Sequence, residues 1–155
     1  MAEALFDPTP HLLLERESTR QFIDILQREQ SALQHADIAA LDWLTQEKTH
    51  QLERLAQLAD ERRKWLATEG YGAGREGMEK GLRNHPGTGE IWRELLDLAR
   101  TATQVNKLNG WLIGWHMRHN EQRLKALRAA VQPVNLYGSD GQSRIGRFGH
   151  QLGEG

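Results

Sequence analysis

The amino-acid sequence predicts an all-α protein with three long antiparallel helices, a helical hairpin followed by a longer third helix. Apolar residues recur at steps of three and four along three segments, approximately 10–35, 37–69 and 90–132. Such steps place the apolar residues on one face of a helix. A glycine-rich stretch at 70–89 separates the second segment from the third. We expect a single helical domain over residues 1–142 and a flexible tail over residues 143–155.

The first helix is predicted from its start signal and its heptads. Thr9 and Pro10 have the pattern of an N-cap followed by proline at the first helical position, where the missing N–H costs nothing. Residues at seven-residue intervals then fall on one face of the helix: Leu12, Thr19, Leu26 and Leu33.

The second helix is predicted to begin after Asp37, its N-cap, and to stop at Gly70. Its stripe keeps the same rhythm and includes two basic residues: Ile38, Leu41, Leu44, Lys48, Leu52, Leu55, Ala59, Arg62 and Leu66. Only a tight turn separates the first two helices, so we expect them to form an antiparallel hairpin.

The glycine-rich segment 70–89 is predicted to be a loop, with at most one turn of helix around Met78 and Leu82. It contains Gly72-x-Gly74-x-x-Gly77, which matches the dinucleotide-binding pattern in its letters. That pattern binds a pyrophosphate only when a strand precedes it and a helix follows. Here a predicted helix precedes it, so a plain linker is the better interpretation.

The third helix carries a main apolar stripe and two less ordinary features. Asn106, Asn109 and Gly110 fall in mid-helix, although glycine there costs about 1 kcal/mol relative to alanine. We expect close helix packing at Gly110 and a polar pair that fixes register, with a recognition site as the alternative.

A second apolar strip, formed by Leu108, Trp111 and Trp115, is rotated from the main stripe. A helix that contacts two neighbours needs a broad apolar face, so core packing is the expected role of this strip. Left uncovered, the strip would be a partner site.

Composition narrows the class of protein. Charged residues make up 26% of the chain and the formal net charge is −1, so no general attraction to nucleic acid is expected. The absence of cysteine excludes disulfides and thiolate zinc sites. No apolar run is long enough for a transmembrane helix, and no signal-peptide pattern is present, so a cytoplasmic protein without membrane insertion is expected.

Candidate catalytic chemistry is sparse. His116 and His119 are one helical turn apart, but no third ligand occurs at helical spacing, and no histidine has the sequence of a phosphotransfer site. Carboxylates such as Glu15 and Glu17 are expected on the solvent side. Neither enzymatic activity, a cofactor nor a metal is predicted. Near the C-terminus, Leu136 and Tyr137 are too apolar for a solvated tail and are expected to dock on another surface.

Several short patterns together resemble the FlgN-type flagellar export chaperones, over most of residues 10–142. In chain order they are Leu26-x-x-Glu29-x-x-Ala32-Leu33-x-x-x-Asp37, Lys48-x-x-x-Leu52-x-x-Leu55 with Arg62, Trp92-x-x-Leu95, Asn106-x-x-Asn109-Gly110-x-Leu112-Ile113, and Leu136-Tyr137-Gly138-x-Asp140-Gly141. The long glycine-rich loop and the basic end of the chain depart from the family pattern.

The resemblance implies a cytoplasmic chaperone that binds the C-terminal helical segments of hook-associated proteins, prevents their premature assembly and delivers them to the export gate. It implies a client-binding stripe of Leu124, Leu127 and Val131 beside Arg123 and Arg128, and export-gate docking by Leu136 and Tyr137. Two alternatives stay open: a structural coiled-coil adaptor unrelated to flagella and, more weakly, a phosphotransfer bundle. The sequence also allows self-association.

Overall fold

A computed structural model describes residues 5–72 and 74–119, and every regular element in those residues is a helix. The helices are α1 (Pro8–Gln34), α2 (Ile38–Thr68), α3 (Arg75–Leu82) and α4 (Thr88–His119). The all-α class is therefore confirmed. The described part of the chain contains four helices where three were expected. The end predicted for the third helix at 132 and the predicted tail lie outside the described residues.

Helix α1 begins one turn earlier than the start signal suggested. Asp7 is the N-cap, because its carboxylate accepts a hydrogen bond from the backbone N–H of Thr9 at 3.0 Å. Pro8 and Pro10 both fall in the first turn, where neither proline removes an intrahelical hydrogen bond. The predicted cap at Thr9 was wrong, since a carboxylate two residues upstream caps the helix instead.

The turn between α1 and α2 is as tight as predicted. Ala36 adopts a left-handed conformation with φ 50°, and the N–H of Asp37 bonds the Ala32 carbonyl at 2.9 Å. Asp37 then caps α2 by accepting from the N–H of Ala40 at 3.1 Å. The two helices run antiparallel.

The segment predicted as a loop contains the two-turn helix α3. Its residues Met78 and Leu82 are buried against Trp65 and Leu66 of α2, and this apolar contact explains why a glycine-rich stretch becomes helical. A Cβ atom at Gly77 would lie 1.4 Å from the Gly72 carbonyl oxygen. A glycine of the Gly-x-Gly-x-x-Gly pattern is thus needed for close backbone packing.

Helix α4 returns parallel to α1, as interhelical contacts in rising order along both helices show. The Arg16 guanidinium contacts Glu94, the Asn109 amide donates to the Leu26 carbonyl, and the His116 ring lies within hydrogen-bond distance of the Leu33 carbonyl. Helix α1 packs against both α2 and α4, which meet mainly through long side chains.

The core follows α1 in three successive clusters. The α3 end is centred on Leu12, Trp65 and Trp92, the middle on Phe22 and Leu55, and the hairpin end on Leu33, Leu41 and Ile113. None of the helices in residues 5–72 and 74–119 is long and apolar enough to cross a membrane.

Candidate functional site

The most exposed apolar side chains of α4 form one strip, which we call the α4 strip: Leu108, Trp111 and Trp115. Their exposed fractions are 48%, 59% and 42%. The steps of three and four place them side by side on one face of the helix. His119 extends the strip by one turn, because its ring stacks on Trp115 with centroids 4.3 Å apart.

Helical geometry explains why this strip faces outward. The inner face of α4 is set by Asn109 and Ile113, which are buried against α1 and the hairpin end. Trp111 and Trp115 each follow one of these residues by two positions, a rotation of about 200° at 100° per residue. The tryptophans therefore point away from α1, and the core packing expected for Trp111 and Trp115 is not found.

Two glycines lie beside the α4 strip. A Cβ atom added at Gly110 would meet no neighbouring atom within 4 Å, and one added at Gly114 would meet only the Arg118 guanidinium at 3.6 Å. The close helix packing expected at Gly110 is therefore wrong, since no helix of the described chain approaches it. These glycines leave the surface low next to the two indole rings.

Behind the strip lies a buried polar network that joins α1, α2 and α4. The Lys48 ammonium is 3.3 Å from both carboxylate oxygens of Glu29 and donates to Asn106 at 2.8 Å. The Asn109 amide donates to Glu29 and to the Leu26 carbonyl, both at 2.9 Å. Both asparagines singled out in the sequence thus contact the same ion pair, which specifies one register of α4 against the hairpin.

The ion pair is almost fully removed from solvent, with side-chain exposures of 2% for Lys48 and 1% for Glu29. Burial lowers the pKa of the Lys48 ammonium, and the neighbouring Glu29 carboxylate, which favours the charged form, offsets only part of this effect. Removing either partner would leave the other charge without its counter-ion in the core.

A second buried ion pair lies nearer the α3 end. The Arg62 guanidinium donates to Glu15 at 2.8 Å and lies over the Trp92 ring at 4.7 Å from its centroid. Burial alone would raise the pKa of the Glu15 carboxyl, but the Arg62 charge and hydrogen bonds from His11 and Arg62 hold it below its ordinary value. The solvent-side placement expected for Glu15 was wrong.

One sequence signal could have revealed both ion pairs. Glu15 and Glu29 are two heptads apart on α1, and Lys48 and Arg62 are two heptads apart on α2. In an antiparallel hairpin, equal spacings let both acidic residues meet both basic residues in one register.

A further exposed tryptophan lies on α2. Trp43 is 53% exposed and packs under the Arg28 guanidinium, 5.6 Å from the ring centroid. With Ala32, Ala40 and Leu44 it lines a shallow groove of about 300 Å³ at the hairpin end. The sequence reading did not single out Trp43, because a lone tryptophan beside the main stripe carries no periodic signal.

The remaining predicted site residues are untested by the structure. The client-binding residues Arg123, Leu124, Leu127, Arg128 and Val131, and the gate-docking residues Leu136 and Tyr137, all lie outside the described residues. Within residues 5–72 and 74–119, no three metal-binding side chains are grouped as a metal site would need.

Comparison with known proteins identifies relatives over most of the chain. The model of a family described as FlgN protein matches residues 9–145. The chain is 28% identical over 121 residues to the flagella synthesis protein FlgN of Escherichia coli (strain K12), covering 77% of each protein. It is 30% identical over 108 residues to that of Proteus mirabilis, covering 70% of this chain and 68% of the relative. No solved structure matches the chain.

Proposed function

The chain belongs to the FlgN family, and on this basis we propose that it is a cytoplasmic flagellar type III export chaperone. It binds the C-terminal helical segments of hook-associated proteins, prevents their premature assembly and delivers them to the export gate. The single observation that supports client binding is the exposed α4 strip on an otherwise well-packed helical bundle.

The physical basis of this proposal is helix-on-helix packing. An amphipathic segment that later buries itself in an assembly exposes an apolar face while it is unassembled, and such faces associate prematurely. A partner helix laid along α4 would cover that face with Leu108, Trp111 and Trp115. Tryptophan is enriched among residues that dominate binding energy, because one rigid side chain removes a large apolar area from water.

The α4 strip extends the client surface implied by the family resemblance. Leu124, Leu127 and Val131 follow in the chain with Arg123 and Arg128 beside them. In this proposal the strip forms the N-terminal part of the client surface and these leucines and valine the C-terminal part. Export-gate docking by Leu136 and Tyr137 stays a separate prediction, tested by whether Tyr137→Ala weakens gate binding and spares client binding.

The testing experiment is calorimetric titration of the full chain with the C-terminal segments of hook-associated proteins, with the C-terminal segment of flagellin as the control ligand. We expect binding confined to the hook-associated segments. Trp111→Ala/Trp115→Ala should weaken it by about tenfold or more, equivalent to about 1.4 kcal/mol. The matched control is Trp43→Ala, which removes a similarly exposed tryptophan from α2 and should leave the affinity unchanged.

Absence of binding to every hook-associated segment would refute the chaperone proposal. The exposed strip would then favour the alternative, a coiled-coil adaptor that associates through its own helices. Sedimentation equilibrium separates the two functions, because the adaptor forms a stable homo-oligomer without a client and loses it in Trp111→Ala/Trp115→Ala.

A further inference from the structure

We propose that the α4 strip is built for a partner helix whose apolar stripe is flanked by carboxylates, that is, an acidic amphipathic helix. The inference rests on the proposed function and specifies the chemistry of the client segment. It follows from the charges and the surface shape beside Leu108, Trp111 and Trp115.

The charges of α4 divide sharply along its length. Its acidic residues, Glu90, Glu94 and Asp97, all fall in the first third of the helix, and from Leu98 to His119 the formal charges are only positive: Arg100, Lys107 and Arg118. Lys107 directly precedes Leu108, and Arg118 follows Trp115 by one turn. The α4 strip therefore lies between two exposed cations and has no carboxylate on its own helix segment.

Elsewhere on the surface, exposed arginines have carboxylate partners. Arg28 pairs with Asp24 and Glu47 at 3.1 Å, and Arg100 pairs with Asp97 at 2.8 Å. In contrast, no carboxylate of residues 5–72 and 74–119 lies within ion-pair distance of Lys107 or Arg118. The two cations that flank the strip are thus available to an acidic partner, and opposite charge at the rim of an apolar surface selects partners and speeds association.

The surface shape fits a helix rather than an extended strand. Trp111 and Trp115 form a ridge one turn long, and Gly110 and Gly114 form a low track beside it. The Arg118 guanidinium lies 3.6 Å from the position of a Cβ atom at Gly114, next to this track. Leu108 to Trp115 spans about 10 Å, or two turns, which matches apolar residues at i, i+3 or i+4, and i+7 of a docked helix.

The test uses the full chain and two synthetic helical peptides with an identical leucine stripe, one with glutamate and one with lysine at the flanking positions. By calorimetry at low salt, the glutamate peptide should bind about tenfold tighter or more, and the difference should shrink at high salt because exposed charges are screened. Lys107→Glu/Arg118→Glu should reverse the preference, and Lys107→Gln/Arg118→Gln should abolish it.

The matched control is Lys64→Glu/Arg83→Glu, which changes the net charge equally at the α3 end of the bundle. It should leave the preference for the glutamate peptide in place. Equal binding of both peptides, or equal effects of the two charge-reversed variants, would overturn the inference, because the preference would then reflect net charge alone. Self-association of the free chain that is lost in Trp111→Ala/Trp115→Ala would also overturn it, since a second copy would be the occupant.

Failure of this inference is distinguishable from failure of the proposed function. If hook-associated segments bind but Lys107→Glu/Arg118→Glu leaves their affinity unchanged, the charge inference fails and the chaperone function stands. If the glutamate peptide binds as expected while no hook-associated segment does, the strip selects acidic helices and the proposed client class is wrong.

Discussion

Replacement of Lys48 by methionine tests whether the ion pair between Glu29 and Lys48 holds the bundle together. Methionine keeps the length and the apolar contacts of the lysine stem but removes the ammonium, so the buried Glu29 carboxylate keeps only the Asn109 amide as a polar partner from this network. Removing one partner of a buried pair costs about 3–5 kcal/mol, because an uncompensated charge stays in the core.

That loss is large for a domain of this size. Natural domains have free energies of unfolding of about 5–15 kcal/mol. At about 2–4 °C per kcal/mol for chains of 150 residues or more, the melting temperature should fall by about 6–20 °C. Urea unfolding followed by far-UV circular dichroism gives the free energy, and a thermal scan gives the melting temperature.

Two variants make the result specific to the buried pair. Glu29→Met/Lys48→Met should recover at least half of the loss, because an apolar replacement of a buried ion pair is often close to neutral. Arg28→Met breaks the half-exposed pair with Glu47 and should cost less than about 1 kcal/mol. If Lys48→Met costs no more than Arg28→Met, the ion pair is effectively solvated and the reasoning from its burial is wrong.

The remaining predictions concern pH and the α4 glycines. Burial alone would lower the pKa of His11, but its hydrogen bond and charge contact with Glu15 outweigh burial and raise it, aided by the Leu58 carbonyl and Glu61. Protonated His11 therefore stabilises the fold fully below its unfolded pKa, and this contribution is lost as pH rises through the raised, folded pKa. His11→Gln should accordingly lower the free energy of urea unfolding more at pH 5.5 than at pH 8.5; an equal loss at both pH values would contradict the role of its charge. Gly110→Ala should stabilise the free chain by about 0.5–1 kcal/mol, because its Cβ faces open space in a helix, yet it should weaken partner binding. Unchanged affinity in calorimetry would show that no partner approaches this glycine.

Local sequence signals predicted those parts of the fold that depend on neighbours along the chain. The Asp37 cap and the tight turn after α1 follow from a few adjacent residues, and the stripes of α1 and α2 follow from their helical period. Helix α3 was missed because its many glycines disfavour a helix locally. It forms because Met78 and Leu82 are covered by Trp65 and Leu66, a contact between residues distant in the chain.

The sequence by itself determined the all-α class, the hairpin and the family, since periodicity and short motifs are properties of the chain alone. Only the tertiary structure decided which side chains are inside. Glu15 and Glu29 are buried because the antiparallel register brings Arg62 and Lys48 opposite them, and a charge enters a core when its counter-ion enters with it. Trp111 and Trp115 are exposed because α1 covers only one side of α4. A helix with two apolar strips does not specify which one will be covered, and that depends on how many neighbours pack against it.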